Sequence, residues 1–129
     1  MAFKTIKTSE DVYKLLKESL VQEEYENLLM ISLDNANHVR KIDWLTAGSD
    51  SQTLFSCKQI ARTAIINNAC AVIIVHNHPS GSVKASYHDD KSTEELKKAL
   101  KLVDITFLDH IIIAAGDGGF YSYADNGKI

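Results

Sequence analysis

Five consecutive apolar residues, Ala71-Val72-Ile73-Ile74-Val75, run directly into His76-Asn77-His78-Pro79. Successive residues of a strand point to opposite faces, so an unbroken apolar run of this length fits a strand covered on both sides. The run predicts a central strand over residues 71–75, with further layers above and below it. Two histidines then lie at or just past its end.

The rest of the chain supplies those layers. Thr8 and Ser9 precede Val12, Leu15, Leu16 and Leu20, whose helical spacing and start signal predict a first helix over residues 9–21. Residues 27–33 are too short and too continuously apolar for an amphipathic helix and are bounded by Asp34-Asn35-Ala36-Asn37, the pattern of a buried strand entering a turn. Residues 38–47 alternate, with Ile42 and Trp44 on one parity and Lys41 and Asp43 on the other; Val39 and Leu45 fall on the polar parity. This segment is expected to pair as a hairpin with the strand before it and to end at Gly48-Ser49-Asp50-Ser51. Ile60, Ala61, Ala64 and Ile65 predict a helix over residues 57–69, and Leu96, Ala99, Leu100 and Val103 a third over residues 87–103. Two strands, 105–114 and 120–124, flank the turn Gly116-Asp117-Gly118-Gly119. The alternation indicates one α/β domain over residues 1–129, a mixed β-sheet with flanking helices. No internal repeat or low-complexity segment interrupts it.

A chain of 129 residues buries an ordinary core without disulfides or a structural metal, so a metal here would serve function rather than folding. The formal net charge is −3 and lysines are interspersed with acids, as in Glu94-Glu95-Leu96-Lys97-Lys98. Nucleic-acid binding normally needs a basic stripe, and composition offers none. No apolar run approaches the ~20 residues of a membrane span. The N-terminus has no signal-peptide pattern, so the expected location is cytoplasmic. Cys57 and Cys70 form no CxxC pair and read as reduced thiols.

His76 and His78 share a parity, so an extended backbone would direct both imidazoles to one side, and Pro79 disfavours helix at His78. Asp89, eleven residues after His78, offers a carboxylate at the start of the third helix. Two imidazoles and one carboxylate are a ligand set that zinc takes when a fourth position holds water. Ser86 and Asp89 also have the spacing of a helix capping box. A metal-dependent hydrolase barrel would need ~250 residues, and the Glu of a cupin-type site is missing after the second His. In HNH nucleases the named residues are separated across a hairpin and helix, unlike the contiguous His76-Asn77-His78. A hydrolytic site also needs a proton acceptor that is not a ligand. Glu10, Glu18, Glu23, Glu24 and Glu26 all lie ahead of the first strand, and spacing alone does not choose among them.

His76, His78, Ser86 and Asp89 fit the register HxH, seven residues, SxxD. This resembles the JAMM (MPN-type) metallopeptidase signature. Within that superfamily, residues 71–81 and Leu108-Asp109-His110-Ile111-Ile112-Ile113 are closely similar to the RadC family, and the similarity runs from about residue 9 to the C-terminus. The resemblance implies a JAMM/MPN-like fold with the three-layer arrangement of cytidine deaminases. It also implies Zn2+ held by His76, His78 and Asp89, Glu26 as general acid/base, and Ser86 as oxyanion donor. The resemblance selects Glu26 because members of the family carry a Glu eight residues before the Asp that ends the first strand, which is Asp34 here. The implied reaction is hydrolysis of an amide or isopeptide bond in a peptide or protein. A non-catalytic zinc-binding interaction module and a DNA-repair-associated role are the alternatives. The helix-hairpin-helix region of longer RadC proteins is expected to be absent, which weakens the DNA-repair reading. His88 and Asp90 are further candidate ligands beside Asp89, and His110 is expected behind the ligands rather than among them.

Overall fold

A computed structural model describes residues 4–47 and 55–129, so the expected break at Gly48 to Ser51 lies outside the described residues. The elements are α1 (Ser9–Leu20), β1 (Asn27–Leu33), β2 (Val39–Ala47), α2 (Cys57–Ile66), β3 (Ala71–His78), α3 (Tyr87–Leu102), β4 (Thr106–Ala114) and β5 (Phe120–Ser122). They build one mixed sheet in the order β2-β1-β3-β4-β5. β3 is antiparallel to β1 and parallel to β4, while β1/β2 and β4/β5 are antiparallel.

Parity along β3 separates the two cores. Ala71, Ile73 and Val75 join Leu29, Ile31, Leu33, Ile111 and Ile113 under α1, through Val12, Leu16 and Leu20. Val72 and Ile74 face the other way, against Ile60 and Ala64 of α2 and Leu96 and Leu100 of α3. The result is the expected three-layer α/β arrangement, helix over sheet over two helices. β1 and β3 are buried along their lengths because each has strand neighbours on both edges and helices on both faces.

Several boundaries differ from the periodicity. β3 continues through His78, three residues past the apolar run, so both histidines are strand residues. α2 stops at Ile66; Asn67 caps it and Asn68 takes a φ of 53°, a left-handed conformation that ends a helix. β5 ends at Ser122, whose hydroxyl turns inward to donate to Asp109 Oδ2 at 2.5 Å. In β2 the pairing with β1 slips by one residue at Arg40 and again at Leu45. These irregularities account for the broken alternation. Val39 and Ile42 pack under α1, Leu45 packs on the opposite core, and Trp44 is left 52% exposed.

Candidate metal centre

His76 and His78 lie on the same parity as Val72 and Ile74, so both rings emerge on the α3 face of the sheet. There α3 begins. Ser86 is its N-cap, accepting from the Asp89 backbone N–H at 3.0 Å, and Asp89 Oδ2 accepts from the Ser86 N–H at 2.7 Å. The capping box is therefore real, and it orients the carboxylate so that Oδ1 faces His76 and Oδ2, the capping oxygen, also faces His78.

His76 Nε2 and His78 Nε2 are 3.0 Å apart; Asp89 Oδ1 lies 3.3 Å from the first and Oδ2 3.4 Å from the second. Ligands about 2.0–2.1 Å from a tetrahedral ion sit about 3.3–3.4 Å from one another, so these separations suit one zinc-sized cation. His78 Nδ1 is 2.8 Å from the Ser82 carbonyl, which only accepts, so Nδ1 carries the proton and Nε2 of the neutral ring presents a lone pair. A carboxylate and bare imidazole nitrogens at this spacing repel one another unless a cation sits among them. Burial resists charging of His78, but the Asp89 carboxylate outweighs it and raises the ring's pKa. Burial likewise opposes ionisation of Asp89, yet the two rings and the Ser86 N–H hold its carboxyl well below the usual range. Both shifts describe a pocket built to stabilise positive charge beside a carboxylate.

Glu26, the residue just before β1, reaches the same place. Its Oε1 is 3.9 Å from His78 Nε2, and Glu26, His76 and His78 offer ligand atoms all within 4.8 Å of one another. Unlike buried Asp89, the Glu26 side chain is 54% exposed. It lines an open groove with His78, Pro79, Ser82, Lys84 and Ser86. The sheet brings it there: Leu28 pairs with His76, so Glu26 falls beside the end of β3. All five residues singled out from the sequence thus converge, whereas His88 and Asp90 do not join them. Asp90 accepts from the Tyr123 hydroxyl at 2.6 Å, and His88 is exposed with its ring against Tyr87.

Two residues near the centre went unread in the sequence. Asn77, on the opposite parity, accepts from the Asn27 N–H at 2.6 Å and donates to the Tyr25 carbonyl at 2.9 Å, gripping the backbone on both sides of Glu26. Thr93, one turn beyond Asp89, donates its hydroxyl proton to the Asp89 carbonyl at 2.7 Å and lies against His110 Nδ1. The chain pattern gives no signal for either, because each acts across elements. His110 is fully buried behind His76, with its Nε2 2.8 Å from His76 Nδ1, as expected of a residue behind the ligands.

Residues 6–128 match the family model of the RadC-like JAB domain. The chain is 40% identical to a UPF0758 protein of Nitrosospira multiformis over 92% of its own length and 52% of that protein's. It is 37% identical to a UPF0758 protein of Coxiella burnetii, covering 94% of this chain and 53% of that one. A UPF0758 protein of Methanosarcina mazei is 34% identical, over 96% and 53% respectively. The chain spans about half the length of these relatives.

Proposed function

The chain belongs to the RadC-like JAB domain family, and from that membership and the geometry at the end of β3 we propose that it is a zinc-dependent hydrolase of amide or isopeptide bonds. The observation that carries the reading is the convergence of His76, His78 and Asp89 at separations that suit one tetrahedral cation, with Glu26 alongside on an open groove. Zinc held there would supply Lewis acidity, polarising a carbonyl and lowering the pKa of a water.

The chain's own residues divide the remaining tasks. Asp89 is the carboxylate ligand because it is closer to both rings, buried, and fixed by the cap. Glu26 is the proton carrier because it is exposed to the groove and free to take a proton from water at its carboxylate and return it to the leaving amine. Ser86 spends a lone pair on the Asp89 N–H, which leaves its hydroxyl proton for the oxygen of a tetrahedral intermediate. The shallow groove favours an extended peptide or protein segment over an enclosed small molecule.

Elemental analysis tests the metal, and a peptide and isopeptide library tests turnover. About one zinc per chain is expected, lost in His78→Ala. Glu26→Gln should keep the zinc and lose at least about 100-fold in rate. Full activity in Glu26→Gln would remove Glu26 from the chemistry. Zinc-loaded protein that turns over no substrate would leave a zinc-binding interaction module.

A further inference from the structure

The hydroxyl of Thr93 gives its one proton to the Asp89 carbonyl and also lies close to His110 Nδ1 and to the Tyr123 hydroxyl, which donates its own proton to Asp90. The Asp89 carbonyl oxygen, 2.7 Å away, only accepts, so the hydroxyl proton must point there; two oxygens at that distance without a proton between them would repel. Thr93 Oγ1 is then an acceptor toward His110, and His110 Nδ1 carries a proton to give it. His110 is fully buried, and its two ring nitrogens face a hydroxyl and a second imidazole rather than a carboxylate, so the ring is neutral and its Nε2 has a lone pair. That lone pair lies 2.8 Å from His76 Nδ1, which must therefore donate. A neutral His76 with its proton on Nδ1 has a bare Nε2, and Nε2 is the atom 3.0 Å from His78 Nε2 and 3.3 Å from Asp89 Oδ1.

We infer that Thr93 and His110 form a one-way chain of hydrogen bonds, from the backbone of Asp89 to the ring of His76, that holds His76 in the only neutral form able to bind a cation. They are positioning residues. The inference rests on the zinc-site reading above for its purpose, but the direction of the chain follows from the donors and acceptors alone. Tyr123 stacks on His110 at 4.6 Å between ring centres and 3° between planes, so the imidazole cannot turn away to find another partner. Loss of one link reverses the rest. Without an acceptor at Thr93, His110 gains by moving its proton to Nε2; His76 must then accept at Nδ1 and carry its own proton on Nε2, where the cation belongs.

Long-range proton–nitrogen NMR of the metal-free protein at a mildly alkaline pH reads the proton's location directly, and competition with a chelator reads zinc affinity. Wild type should show His76 protonated at Nδ1. His110→Leu should shift the proton wholly or partly to Nε2 and weaken zinc binding by about 10–100-fold. In His110→Gln, whose carbonyl reaches about as far as the lost Nε2, affinity should return to within a few-fold of wild type. Thr93→Val, which keeps the shape, should act in the same direction as His110→Leu and decides the matter if the latter fails to fold. A wild-type His76 protonated at Nε2, or folded His110→Leu and Thr93→Val with unchanged proton placement and zinc affinity, would overturn the inference. Wild-type protein that takes up no zinc would instead remove the hydrolase reading, and the proton placement would still judge the chain of bonds.

Discussion

Asn77 stands between two histidines in sequence and on the other side of the sheet from them in space. Its amide closes on the backbone flanking Glu26, so a residue that points away from the two histidines sets where the proposed proton carrier stands. Asn77→Ala leaves the buried Asn27 N–H without its acceptor, at a cost of about 1–3 kcal/mol. The expected outcome is a lower urea midpoint and a reduced rate with zinc content unchanged. Loss of zinc would instead mean that Asn77 governs the ligands. At this scale the sequence was legible wherever function is local: His76 and His78 two apart on a strand, Ser86 and Asp89 three apart at a helix start. Glu26 needed the family resemblance, because nothing short of the β1/β3 register places it beside His78. Asn77 and Thr93 were silent since neither residue type signals the partner it meets through folding.

The hairpin of β1 and β2 turns on Asp34. Its Oδ1 accepts from the Ala36 and His38 N–H groups at 2.8 and 2.9 Å, and Oδ2 lies 3.0 Å from His38 Nδ1. The His38 N–H above all, with the ring and the Ala36 N–H, keeps the carboxyl pKa below its ordinary 3.8. A depressed carboxyl pKa supports the fold fully above the unfolded value and is lost as pH falls through the folded one. The amide proton of His38 should therefore shift in an acid titration with a midpoint below 3.8, and the transition should vanish in Asp34→Ala. A midpoint at or above 3.8 would show that the carboxylate does not hold the turn. Elements were read well where one force decides them, as in β1, β3 and the stripes of α1 and α3. They were read less well where two compete. Residues 38–47 alternate imperfectly because the edge strand slips twice, and α2 is shorter than its apolar spacing because the backbone reverses at Asn68.

For the molecule as a whole, the two apolar cores lie along the strands, while the polar centre sits at the strand ends. Removal of a metal should leave the fold in place. Treatment with a chelator is expected to keep the far-ultraviolet circular dichroism and to lower Tm only by the free energy of zinc binding, which grows with the logarithm of free zinc over Kd. Unfolding on chelation would make the ion structural. The layered architecture was the most legible property of all, since a strand buried on both faces admits few others. The site's assembly has a different origin: Asn77 reaches a partner 50 residues back, and His76 one 34 residues ahead. During synthesis on the ribosome, then, a nascent chain that has already exposed both motif histidines still lacks the backing for one of them. On the proposed reading, competence to capture an ion therefore arrives late, after the fourth strand has emerged.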